Sequence, residues 1–507
     1  MFLGTGSDVG KSVICAAFCR IFAQDGFKVA PFKAQNMALN SYITPEGGEM
    51  GRAQVVQAEA AGIEPHVYMN PILLKPASQV GSQVIVRGKV LGNMTAKTYY
   101  EYKKKLLPVV KESYERLASE YDIIVLEGAG SAVELNLKKH DLVNMAMAQM
   151  ADAPVILVGD IDRGGIFASL IGSMMLFTEE EKARVKGFLI NKFRGDPALF
   201  RDGIKIIEEK TGRKVLGVIP YFDHFSIPEE DSVALQRRLT KKPREDGVPE
   251  RRLQVRIGVV KLPYISNYTD FDSLEHEPDV DLVYFDTEDL LADLDCVIIP
   301  GSKTTIHDLE FLLSSGIANE LRTFLKRGKI LIGICGGYQM LGIEVRDPEN
   351  VEGEVKERRG MGFLPIITTL AGEKVTSRVL AKPVVNDWLI PESEPITGYE
   401  IHMGETQIVE GGRALLNIVS RNGRTTNTLD GCISGDMNVW GTYLHGIFDN
   451  DNLRRNLIKD LKLRKGIEVK NYSDFTFRQW KSSQYDMLAE HVRSHVDMKE
   501  IYRILGL

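Results

Sequence analysis

The 507-residue sequence has only five cysteines, Cys15, Cys19, Cys296, Cys335 and Cys432. They are widely spread and odd in number, and none has metal-ligand spacing apart from Cys15 and Cys19, which lie one helical turn apart and read as core packing. A surplus of positive charge is also missing: the net charge of −6 leaves no basic field for nucleic acid. No apolar run is long enough to span a bilayer, and no charged segment leads into a long apolar stretch at the N-terminus. The sequence therefore predicts a cytoplasmic protein without a membrane partner. Repeats of fixed period and low-complexity tracts are absent too. What is present is an ordinary globular composition, 44% hydrophobic and 26% charged. At ~150 residues per domain the length accommodates about three compact units.

From residue 1 to 235 apolar runs alternate with helical stretches: "KVAPFKA", "YDIIVLEGAG", "APVILVGDID", "VKGFLINKF", "KVLGVIPY". Continuous Val/Ile/Leu runs separated by helices predict parallel strands buried on both faces. Residues 236–252, "QRRLTKKPREDGVPERR", are mostly charged, hold two prolines and have no apolar period, so they predict a linker. The alternation restarts over 253–452, and 453–507 carries helical spacing. The expected class is α/β: two parallel-sheet domains and a helical C-terminal tail.

The opening stretch, "MFLGTGSDVGKS", ends like a phosphate-binding loop but is one residue too long, since GxxxxGK[ST] requires glycine where Thr5 stands. Its chemistry still fits. Glycines such as Gly10 let backbone N–H groups turn toward phosphate oxygens, Lys11 can reach the terminal phosphates of ATP, and the Ser12 hydroxyl can ligate Mg²⁺. A strand-like "MFL" precedes it and a helix ending at Gly26 follows. So short a first strand predicts either that three residues suffice or that the chain starts upstream of Met1.

In the second domain "ILIGICGGYQMLG" places Cys335 between an apolar strand and a helix, with Gly333, Gly336 and Gly337 around it. That is the strand–turn–helix arrangement of a nucleophile elbow, with the Gly336 N–H available to an oxyanion and the helix start favouring thiolate. A thiolate nucleophile needs a base, and His445 in "VWGTYLHGIFDN" competes with His307 and His402 for that role.

Together "GICGGYQMLG" and "YLHGIF" resemble the class I, or triad, glutamine amidotransferases, which release ammonia from glutamine through a cysteine thioester. The resemblance implies Cys335 as nucleophile and His445 as base, with Ser302 in "PGSKTT" and Gly336 forming the oxyanion hole. The glutamate these enzymes place two residues after the histidine is replaced here by Ile447. Cys335 and His445 would then act as a dyad or recruit another acceptor, such as Asp449. Lack of that glutamate is shared with the cobyrinate and cobyrate amidating enzymes.

The loop "GTxxxVGKS" resembles dethiobiotin synthetase and its relatives, whose longer loop includes Thr5 and whose substrates are activated by phosphorylation. That likeness implies Glu127 in "IVLEGAG" as a Mg²⁺ ligand and Asn191 in "LINKF" as the adenine reader, with Asp160 and Asp162 at another strand end. "PFKAQNMALNS", "EMGRAQVVQAEAAGIEP", "NPILLKP", "GDIDRGGIFASL", "LPYISNYTDFDSL" and "PGSKTTIHDL" extend the resemblance to the cobyrinate and cobyrate amidating family over essentially the whole chain. It implies ATP- and glutamine-dependent amidation of the b, d, e and g carboxylates of a corrinoid, adenosylcobyrinic acid a,c-diamide. Lys33, Gln35, Asn36 and Asn40 would contact substrate or phosphate. Two alternatives are the family's a,c-diamide synthase and a partition-type P-loop ATPase fused to an inert amidotransferase-like domain. Oligomeric state is not legible.

Overall fold

The computed structural model describes residues 1–38, 40–76, 81–222, 226–227, 254–385, 388–469 and 474–507. The linker expected at 236–252 and both its edges lie outside the described residues. The chain divides into two compact units, one of residues 1–38, 48–230 and 479–507, the other of 39–47 and 231–478.

In the first unit the Val/Ile/Leu runs form the parallel strands their composition predicts. Phe2–Gly4, Val155–Asp160, Val185–Phe193 and Lys214–Pro220 lie side by side in that order. A parallel bridge from Phe2 to Glu127 joins them to the pair Ile123–Leu126 and Val29–Phe32. The helix Lys11–Gln24 buries Ile14, Cys15, Phe18, Cys19, Ile21 and Phe22, so the close cysteine pair is core. Parallel strands place their loops on one edge, and Gly4, Leu126, Asp160 and Asn191 all lie at or near strand ends there. Gln35–Met37, Ile72–Pro76, Gly81–Val86 and Lys89–Thr95 make a separate small sheet.

The second unit has its own long sheet. Val280–Phe285, Val255–Val260, Cys296–Ile299, Ile330–Ile334 and Val439–Thr442 are parallel neighbours. Antiparallel strands then extend it through Arg424–Ile433, Arg413–Arg421 and Ile366–Pro383, the last also pairing with Ile396–Ile408. Residues 453–507 are not one body. The helix Asp451–Arg464 lies in the second unit, where buried Arg454 binds Glu277 at 2.7 Å and the Phe448 carbonyl at 2.8 Å. Residues 479–507 belong to the first unit, with Tyr485, Leu488, Val492 and Ile501 in the core that holds Phe18 and Phe22.

Candidate active sites

In the first unit the phosphate loop closes on itself. Lys11 Nζ donates to the carbonyls of Gly6 at 2.8 Å and Gly130 at 3.0 Å. Burial pushes its ammonium down to about 8, against the opposing charge of Glu127. Thr5 N–H bonds the Val158 carbonyl at 3.0 Å, tying the extra residue to the neighbouring strand. Gly10 sits at φ +96°, and a β-carbon there would lie 2.2 Å from the Asn191 amide nitrogen. That amide nitrogen donates to the Val9 carbonyl at 2.9 Å, so Asn191 braces the loop.

Glu127 is the hub of this site and is fully buried. Its Oε1 accepts from Ser12 Oγ at 2.7 Å and Lys33 Nζ at 2.8 Å, and its Oε2 from Gln57 at 2.6 Å and Gln54 at 3.3 Å. Burial alone would raise this carboxyl; the Lys33 ion pair and the Ser12 and Gln57 bonds outweigh it and hold it below the ordinary value. Asp160 and Asp162 are engaged by cations, Lys192 at 2.8 Å and Arg194 at 2.7 Å.

Within "PFKAQNMALNS", Lys33 and Asn36 belong to one network, because Gln54 bonds both Asn36 and Glu127. Lys33 pairs with Glu127, Gln35 accepts from Tyr99 OH at 2.6 Å, and Asn36 donates to Gln54 at 3.1 Å, all in the first unit. Asn40 lies in the second unit, because the chain leaves the first at residue 38 and returns at 48. It is fully buried, and among the described residues neither of its amide atoms has a hydrogen-bond partner.

In the second unit Cys335 holds φ +52°, ψ −110°, the strained turn of an elbow between Ile330–Ile334 and Gly336–Met340. Its thiol points toward the Ile401 carbonyl at 3.5 Å. The helix that follows is only five residues long, so its dipole is slight.

His445 is fully buried, and its Nδ1 lies 2.6 Å from Asp270 Oδ2. An ionised carboxylate only accepts, so Nδ1 carries the proton and Nε2 faces the thiol. The carboxylate on His445 is thus Asp270, not Asp449. Spacing near the histidine cannot reveal it, because Asp270 arrives from a 3-10 turn, Tyr268–Phe271, 175 residues earlier. Burial would push the imidazole down, but the charge of Asp270 and hydrogen bonds to Asp270 and Cys335 hold it up, at about 10. The Tyr399 ring stacks on it, with centroids 5.2 Å apart.

The rival histidines sit elsewhere. His402 stacks on Tyr443 with centroids 3.7 Å apart, and burial pushes it down to about 4. His307 packs edge-on against Tyr264.

Ser302 meets the elbow from the other side. It pairs with Ile265 in a short antiparallel ladder, while Lys303 N–H bonds the Tyr264 carbonyl at 3.1 Å. Alternate residues bond in such a ladder, so the Ser302 N–H points away from it. A β-carbon on Gly336 would sit 2.9 Å from that nitrogen. The Ser302 nitrogen thus lies beside Gly336, whose own N–H is in the first turn of a helix, where no internal acceptor exists.

A model described as the CobQ/CobB/MinD/ParA nucleotide binding domain matches residues 1–233, and one for the CobB/CobQ-like glutamine amidotransferase domain matches 256–453. A cobyric acid synthase of Syntrophobacter fumaroxidans is 60% identical over 509 residues, covering 100% of this chain and 98% of its own. The chain belongs to the cobyric acid synthase family. Cobyric acid synthases of Clostridium kluyveri and Streptococcus sanguinis are each 48% identical, again covering 100% of this chain and 98% of theirs. The α/β class expected from the sequence agrees with both matched domains. For this cobyric acid synthase relative, "ISNYTDFDSL" serves in the sequence only as a family mark; folding makes it the segment that brings Asp270 to His445.

Proposed function

We propose that the chain uses ATP and glutamine to amidate the b, d, e and g carboxylates of adenosylcobyrinic acid a,c-diamide, yielding adenosylcobyric acid for cobalamin biosynthesis. The observation that carries this reading is the Cys335–His445–Asp270 set beside paired backbone donors, in a chain matched end to end by cobyric acid synthases.

The Cys335 thiol passes its proton to His445 Nε2 as Sγ attacks the glutamine side-chain carbonyl, and the negative oxygen meets the N–H groups of Gly336 and Ser302. As the C–N bond breaks, the leaving nitrogen takes the proton from His445 Nε2 and departs as ammonia, leaving a thioester. Water, deprotonated by the same nitrogen, then releases glutamate and restores the thiol. Asp270 keeps the imidazole oriented and stabilises its charged form.

In the first unit the γ-phosphoryl of ATP passes to a corrinoid carboxylate oxygen, giving an acyl phosphate and ADP. Lys11 and the loop N–H groups grip the phosphates, and Asn191 and Thr5 hold the loop in shape. Ser12 and Glu127 would hold Mg²⁺: a hydroxyl and one carboxylate, 2.7 Å apart, suit an ion that takes its remaining oxygens from phosphates and water. Such an ion would neutralise charge developing on the phosphates. Lys33 balances Glu127. Ammonia attacks the acyl carbon and expels phosphate.

Incubation with candidate corrinoids, ATP and glutamine tests the reading, with amidations counted by mass. Conversion of the a,c-diamide at all of the b, d, e and g positions is expected. Amidation confined to the a and c positions would assign the rival a,c-diamide synthase activity, and no glutamine hydrolysis at all would favour an ATPase switch.

A further inference from the structure

We propose that Asp308 is a positioning residue for glutamine hydrolysis, holding the Ser302 N–H where the oxyanion forms. The inference rests on the Cys335 reading above. Asp308 lies on the helix Thr305–Ser314 and is fully buried. One oxygen, Oδ2, accepts from Ser302 Oγ at 2.6 Å, and that hydroxyl in turn accepts from Thr304 N–H at 3.0 Å. The other, Oδ1, accepts from Tyr264 N–H at 3.2 Å. A single carboxylate therefore fixes both strands of the short ladder, Ile265–Ser266 and Gly301–Ser302, one at its entry and the other at its last residue.

The consequences run to both sides of the nucleophile. Ser302 presents its N–H beside Gly336 only while its side chain is anchored the other way, and the hydroxyl is that anchor. The partner strand continues directly into Asn267, whose amide lies 3.3 Å from His445 Nε2, and Asp270. Among the described residues Asp308 makes no hydrogen bond to the thiol or to the His445 imidazole, and the His307 ring lies 4.0 Å from it. Its effect on catalysis passes through the backbone it holds.

Steady-state glutamine hydrolysis by the full chain, with C335A, S302A, D308N and S302A/D308N, tests this. D308N keeps an acceptor for Tyr264 but turns an N–H toward a hydroxyl that already receives one. Its kcat should fall on the order of 10²-fold, the loss typical of one misplaced oxyanion donor, with KM within about 3-fold. S302A keeps the backbone N–H and loses only the anchor, and should lower kcat at least about 10-fold at similar KM. The double variant should be no worse than D308N, because both changes break one link. Iodoacetamide should alkylate Cys335 in S302A at the wild-type rate, since the thiol and its base are untouched.

Wild-type kcat in S302A, additive losses in the double variant, a rise in KM without a fall in kcat, or slowed alkylation in S302A would each overturn the proposal. If D308N does not fold, S302A alone still decides. Activity persisting in C335A would instead overturn the underlying nucleophile assignment.

Discussion

Asp270 and His445 show what a single residue contributes to this enzyme and how far its partner can lie along the chain. Without the carboxylate, the imidazole loses the charge that raises its proton affinity to about 10. Asp270→Asn is expected to lower kcat for glutamine hydrolysis on the order of 10²- to 10⁴-fold. The sign of the pH effect follows. Asp270 delays proton loss from His445, so its removal should move the alkaline limb of kcat/KM to lower pH, and a pH–rate profile checks this. Cys335 is legible in the sequence because an elbow is local: strand, cysteine and glycines are contiguous. Asp270 is not legible, because nothing near His445 indicates which distant turn will fold against it. Asn191 marks a different limit. Its position at a strand end is readable, but which group its amide meets depends on the path of the phosphate loop.

At the scale of elements, glycine governs how closely the elbow packs. A β-carbon on Gly337 would lie 2.0 Å from the Ile299 carbonyl oxygen, a backbone atom that cannot swing aside. Gly337→Ala is expected to cost about 1–3 kcal/mol through forced backbone movement and to abolish glutamine hydrolysis; thermal unfolding and a glutaminase assay read the two effects. The helix Asp451–Arg464 depends instead on a buried charge. Arg454 is fully enclosed with Glu277 and Asp451 at 2.7 and 2.6 Å. Arg454→Ala should destabilise the second unit by about 3–5 kcal/mol, because Glu277 would remain buried without its cation. Helical spacing reveals that such a helix exists. It does not reveal an arginine on the inward face, since the pattern alone assigns charged residues to solvent.

Over the whole molecule, the alternation of apolar runs and helices makes the α/β class readable, but the chain does not respect sequence order in building its units. Residues 39–47 join the second unit, where Tyr42 packs on Tyr399, the ring stacked on His445. The last 29 residues return to the first unit. Neither crossing is marked in the sequence: 39–47 reads as an ordinary turn-rich connection and 479–507 as ordinary core-facing helices. The return is substantial: Tyr485, Leu488, Val492 and Ile501 are buried, each worth roughly 1.5–3 kcal/mol. Together they rival the ~5–15 kcal/mol that separates folded from unfolded domains. A chain ending at residue 478 should therefore lose the cooperative unfolding transition of the first unit in calorimetry. Glu59 adds a pH dependence to this docking. Burial would raise it, but Lys481, Arg52 and Tyr485 hold it down at about 2, so its contribution is present above pH ~4.5 and is lost as pH falls toward 2.

We expect one site to release ammonia from glutamine and another to spend ATP in attaching it to a carboxylate. Cys335→Ala, given corrinoid and ATP with either glutamine or an ammonium salt, separates the two. Mass analysis should show no amidation with glutamine and restored amidation with ammonium; failure of ammonium to restore it, or persistence with glutamine, would rule out two separable sites.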